Sequence, residues 1–546
     1  SIDGTGTITN SNNINLNATA SLIELVGATI SKINQSADAA SSKGITVATT
    51  ASTITTFTSG GQSRIDLGAN LTITDDFNLT GETMILSGTS TLDGGAITLN
   101  NVNSIIQVTA ACTIDNNLTF SANSATGKGL DITNSCTISG DLSTSANVII
   151  EIDASQTLTY SGAAFAIAAN TLNLLGTGTL NNSANAITFS TGTLDVDNNI
   201  EIDGDITISG NATIDIATGK TLDYDGASLA IGANTLTFTG GTGGSDEGIF
   251  ENANALTVST GQITVTNNVN VTGDITMSGN ATISIANGKT LNYDGASLAI
   301  GANTLALTGG TGASDEGILD NANALTISTG TLDVDNNIEI DGNITISDDA
   351  TFDIASGKTL DYDGDQIDIG DNALSIIGGG TIDNANNITL SHANSLLNIK
   401  TNASATIAKV STSANVTGTS KGVDIDVNAT ITTLTVSHTC PVLIKTGVTL
   451  SGAVSIKAGK VNLTETGTLA ADLEFTGGTS ATNCTLDVDA DLTMSGDLSV
   501  AGTSTVCILD VANGKTLTYS GAAFALSTYT LQLTGRTGAN DEGTST

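Results

Sequence analysis

From Thr193 to Ala217 apolar and polar residues alternate. Leu194, Val196, Ile200, Ile202, Ile206, Ile208, Ile214 and Ile216 make one set, and Asp195, Asp197, Glu201, Asp203, Thr207 and Ser209 make the other. A period of two sends successive side chains to opposite faces of a strand. Asn-Asn, Asp-Gly and Gly-Asn pairs punctuate the pattern, and such pairs favour bends because they accept positive φ. The strands are therefore about five residues long. That is too short for a sandwich meander and suits the sides of a coil that returns on itself.

The alternation recurs at long range. GKTLDYDGASLAIGANTLTFTGG begins at Gly219, GKTLNYDGASLAIGANTLALTGG at Gly288 and GKTLDYDG at Gly357, so the three starts are evenly spaced. The clearest copies are 219–287, 288–356 and 357–394, with relatives at 157–218 and 514–546. The interval from Cys112 to Cys136 and that from Cys484 to Cys507 are each about one third of this repeat, and the cysteines of each pair stand in similar surroundings. Three coils per repeat follow. The expected fold is all-β, a right-handed, three-sided parallel β-solenoid (β-helix) with coils of roughly 22–24 residues. It should run as one continuous solenoid over residues 1–546. Residues 20–45 are the least strand-like and are expected to hold a short helix or loop. Residues 395–465 carry six lysines and lack the clear repeat, which suggests a divergent section or a contact region. The start at Ser1 without Met and the stop in mid-repeat at Thr546 are those expected of a processed chain or part of a longer one.

Composition narrows this picture. Aromatics are 3% with no Trp, so Ile, Leu, Val and Ala must fill a narrow core. One proline in 546 residues suits long hydrogen-bonded ladders. Lys and Arg total 15 against 54 Asp and Glu, a net charge of -39. Such a surface repels nucleic acid, anionic lipid and polyuronates, and attracts divalent cations. It also opposes lateral sticking between proteins made of strands. No apolar run reaches the ~18 residues of a membrane helix, so membrane insertion is not expected.

Candidate chemistry is sparse. GGTGGSDEG from Gly240 and GGTGASDEG from Gly309 are glycine-rich with adjacent acids. They are similar to a calcium-binding nonapeptide, although Asp246 and Asp315 come one residue late. Asp246, Glu247, Asp315 and Glu316 are thus candidate calcium ligands, with hard oxygen donors. Calcium is the cofactor these loops suggest. The acids Asp195, Asp197, Glu201 and Asp203 could suggest paired catalytic carboxylates or a metal site. The next copy replaces them with Thr264, Thr266, Asn270 and Thr272 while keeping the apolar positions, which marks them as solvated surface. His438 and Cys440 form a weak metal spacing. Arg64 and Arg536 are the only arginines, too few for a basic sugar-binding groove. Tyr160, Tyr224, Tyr293, Tyr362 and Tyr519 recur at one repeat position and read as structural. The cysteine pairs at neighbouring coils are disulfide candidates or buried thiols, and the odd fifth leaves at least one unpaired.

Short aliphatic strands with Thr, Asn, Gly and Asp exteriors, as in LDVDNNIEIDGDITISGNATI, resemble those of large secreted prokaryotic β-helix surface proteins. Filamentous-haemagglutinin-like adhesins and autotransporter passengers are the families concerned. The resemblance implies a non-enzymatic extracellular rod or filament subunit at the cell surface. It could be adhesive toward a surface glycan or protein, and it would associate with itself head to tail. A carbohydrate-active β-helix enzyme and an ice- or mineral-binding solenoid are the alternatives.

Overall fold

The computed structural model describes residues 1–241, 247–311, 316–400, 404–477, 484–501, 506–524, 530–535 and 544–545. Among them every regular element is a strand, and the named strands pair in parallel. Parallel neighbours need a long return connection. Here the other two sides of the coil provide it, so the fold is a parallel β-solenoid of about 23 turns. The chain forms two compact units, Ser1–Ile275 and Thr276–Thr546.

In the first unit one coil runs through Thr193–Val196, Ile200–Ile202 and Ile206–Ile208, one strand on each of three faces. The next runs through Ala212–Ile216, Thr221–Tyr224 and Leu229–Gly232. On the first face Leu194, Ile214, Phe238 and Val265 stand in register on successive coils, and all are buried. On the second face Ile200, Leu222, Phe250 and Val271 do the same. Phe165, Ile187 and Ile206 form a column on the third. Coil length varies about the expected value. The coil that carries the chain from Thr193 to its partner Thr213 is shorter than the one from Ala212 to Leu236, and the one from Thr235 to Gln262 is longer still. Pairing on the first two faces stays in register, so most added residues collect at the corners, while the third face shifts register at Ala230/Gly232.

The second unit has the same design. Leu332, Phe352, Ile376, Ile399, Ile425 and Ile444 form an unbroken buried column across six coils. The described residues of 395–465 are part of this solenoid. There the second and third faces fuse into long strands such as Ala405–Thr412 and Ala429–Val436. Two consecutive outward residues, Thr432 and Thr433 in the latter, turn the corner without a break. Within 20–45, where a short helix or loop is expected, a loop forms and no helix. That stretch holds strands Leu22–Val26, Thr29–Gln35 and Gly44–Val47, with a loop over 36–43. Ile23, Leu25, Ile30 and Ile33 are buried, so coil pairing overrides the weak local pattern.

Recurring side-chain hydrogen bonds hold the corners. The Tyr224 hydroxyl accepts from the Ile206 amide at 3.1 Å and donates to the Ala227 carbonyl at 2.9 Å. Tyr362 makes the same pair with Ile344 and Asp365. Buried Asn182 donates to the Asp205 carbonyl at 2.8 Å, and buried Asn384 to the Lys409 carbonyl at 2.7 Å. Each bridges to the following coil and occupies backbone groups that a bend leaves without ladder partners.

Because the columns are close-packed, loss should be local and large. Ile214→Ala is expected to cost about 2–5 kcal/mol, whereas exposed Asp197→Asn should stay within about 0.5 kcal/mol. Urea denaturation of both variants checks this. Equal losses would show that the inward and outward sets are misassigned.

Candidate functional site

The acids of the first repeat separate at the Asn198–Asn199 corner. Asp195 lies on the first face, opposite Asp215. Glu201 and Asp203 belong to the second face, where Glu201 faces Asp223 and Asp223 faces Glu251. Asp203 and Asp225 extend the next outward column along the same two coils. Ligand oxygens of Glu201, Asp203 and Asp225 all lie within 4.8 Å of one another. The second unit repeats this arrangement. Glu339, Asp361 and Asp383 stand in register, and Glu339, Asp341 and Asp363 form the corresponding triad.

Crowding shows in the protonation equilibria. Burial, followed by repulsion from Asp225, Glu251, Glu201 and Asp203, pushes Asp223 up to about 6. Burial, then Asp363, Asp383, Glu316 and Asp341, does the same to Asp361. Glu339 and Asp341 are both raised, with burial the leading cause. On the first face burial and then Asp197 and Asp215 take Asp195 up to about 6. Two unit charges about 5 Å apart repel by roughly 0.8 kcal/mol even in bulk water. Rows of them therefore favour protons or hard divalent cations as company. The neighbouring coil offers only neutral donors to the first triad. Thr179 Oγ1 donates to Glu201 at 2.6 Å and Asn181 Nδ2 to Asp203 at 3.3 Å. A shallow depression of about 210 Å³ beside them is lined by Thr177, Asn199, Glu201, Thr221 and Asp223.

The anticipated calcium loops fare differently. Asp246 and Asp315 lie outside the described residues. Glu247 and Glu316 are half-buried at a corner, where their backbone carbonyls accept from Gly219 and Gly288 at 3.1 and 2.9 Å. The Glu316 carboxylate adds to the charge around Asp361. Cys440 is fully buried in the core, while His438 is half-buried in the preceding bend. His392 pairs instead with Asp371 at 2.8 Å on an exposed surface.

Sequence reasoning singled out Glu201 and Asp203 but read them as solvated surface, and it missed their partner Asp225, which arrives one coil later. The available signal was the acidic pair in each DYDG segment, which the coil length places beside the preceding acids. Another outward column on the first face is hydroxylic: Thr171, Thr193, Thr213, Thr237 and Thr264 stand in register on five coils. Beside it runs a mixed column of Asn173, Asp195, Asp215 and Thr239. Comparison with known protein families, with curated proteins and with solved structures finds no match.

Proposed function

We propose that this chain is a non-enzymatic structural element outside the cell, a rod or filament subunit of the cell surface. Filamentous-haemagglutinin-like adhesins and autotransporter passengers supply the analogy. The observation that carries the reading is the unbroken repetition of the same buried columns and parallel ladders within each unit. Such a fold distributes stability along its stacking direction, because each coil depends mainly on its neighbours. Carboxylate rows support the reading from outside, since like charges resist side-by-side association. Self-association then runs head to tail, along the coil-stacking direction. An adhesive role would use the same exposed faces toward a glycan or protein ligand.

Catalysis by the carboxylate triads fits poorly, because the copy between them has Asn270 and Thr272 where they have acids. The threonine column favours the alternative of binding an ordered solid such as ice or a mineral. Asp195 and Asp215 interrupt the uniform hydroxyl rows which that would need, so the structural reading stands first. Electron microscopy of the purified 546-residue chain in ~0.15 M salt, where screening falls to about 8 Å, tests it. Filaments or extended rods without lateral bundles are expected. Compact particles, or amorphous lateral aggregates under these conditions, would overturn it.

A further inference from the structure

The five cysteines are all buried and carry thiols in this structure. Cys484 stands directly opposite Cys507 on neighbouring parallel strands. Thr113 faces Thr137 and Ile114 faces Ile138, so Cys112, one residue earlier, lies beside Cys136. Both line one depression of about 190 Å³ together with Thr113, Ser135, Thr137 and Thr159. Cys440 differs. Val461 lies opposite it on one side, and the Val423–Val442 register sets Lys421 on the other. Four of five cysteines in 546 residues thus meet in two opposed pairs. Strands in a ladder are about 4.8 Å apart, inside the roughly 4.4–6.8 Å that separates the Cα atoms of bridged cysteines.

We propose that Cys112–Cys136 and Cys484–Cys507 are two cross-coil disulfide sites, and that Cys440 is left as the single thiol. Each bond would fasten one coil to the next and close a loop one coil long. The oxidant is a small-molecule disulfide such as oxidised glutathione. One cysteine thiolate attacks it, forming a mixed disulfide and releasing one glutathione thiolate. The opposed cysteine thiolate then attacks the protein sulfur of the mixed disulfide and releases the second. The protein pair loses two protons and two electrons, and glutathione disulfide is reduced to two thiols. Burial pushes Cys112 up to about 11 and Cys136 up to about 12, so thiolate is scarce once the coil has closed. At this pair the exchange therefore runs while the coils are forming.

Duplication of a coil would also copy a cysteine into the same column, and the experiment separates the two explanations. The full chain is reduced, unfolded and refolded, either in a glutathione redox buffer or in dithiothreitol. Material with a recovered β-sheet spectrum is alkylated in denaturant and mapped by mass spectrometry. One alkylated residue, Cys440, and linked peptides 112–136 and 484–507 are expected from the glutathione sample, with a melting temperature several degrees above the reduced one. Five alkylated cysteines, or links between other partners, would overturn the proposal. Cys112→Ala and Cys136→Ala should each remove the same part of the melting shift, and the double variant no more. Losses that add, and that persist in dithiothreitol, would mean packed thiols and no bond. The test is independent of filament formation.

Discussion

Gly176→Ala is expected to destabilise the chain by about 4 kcal/mol or more, whereas Gly219→Asn should be close to neutral. Both glycines have positive φ, +83° and +66°, so backbone preference alone does not separate them. Space does. A Cβ on Gly176 would lie 1.9 Å from the Ile152 carbonyl oxygen of the preceding coil, and one on Gly219 would meet nothing within 4 Å. The Ile152 carbonyl belongs to the ladder and cannot retreat without breaking it. Asn tolerates the left-handed region that Gly219 occupies. Gly88 and Gly378 close comparable corners, with φ of +84° and +83° and contacts of 2.4 and 2.2 Å to Leu67 and Ile354 carbonyls. Gly378→Ala should therefore reproduce the loss in the second unit. Chemical denaturation of the three variants checks this. A Gly176→Ala chain as stable as the parent would mean that neighbouring coils do not approach as closely as described.

Acidification from pH 7.5 to pH 5 is expected to raise the melting temperature by several degrees, the reverse of ordinary acid denaturation. Asp195, Asp223 and Asp361 are pushed up to about 6 in the folded chain, from 3.8 when unperturbed. Glu339 rises to about 7, with Asp341 also raised. Between these values and the unfolded ones the folded chain binds more protons than the unfolded chain. Stability then falls as pH rises through the window from about 4 to about 7, and is recovered on acidification. The contribution is complete below the unfolded values. Millimolar calcium should act like protons on the same carboxylate rows, raising the melting temperature at pH 7.5 and much less at pH 5. Asp223→Asn combined with Asp361→Asn should raise the melting temperature at pH 7.5 and flatten the pH profile. A melting temperature that falls steadily from pH 7.5 to 5 would contradict the crowding of these carboxylates.

The period-two alternation by itself determined which side chains point inward, because a strand offers only two faces. Ile214 and Asp215 could be assigned before any coil was built. The bend residues determined that the strands stay short, and the even recurrence of the segments at Gly219, Gly288 and Gly357 determined that the fold is a stack. What the alternation could not supply is which residue lies above which. That depends on how many residues each corner absorbs, and the step from Thr193 to Thr213 is shorter than the step from Thr235 to Gln262 for that reason. The join of Glu201 and Asp203 with Asp225 and their separation from Asp195 are therefore tertiary facts. The same holds for residues 20–45 and 395–465. Their local pattern is weak or irregular, yet pairing with regular coils on either side holds them in the ladder. In a solenoid inward or outward facing is a local property of the chain, while adjacency along the stack is set by the sum of the corners between.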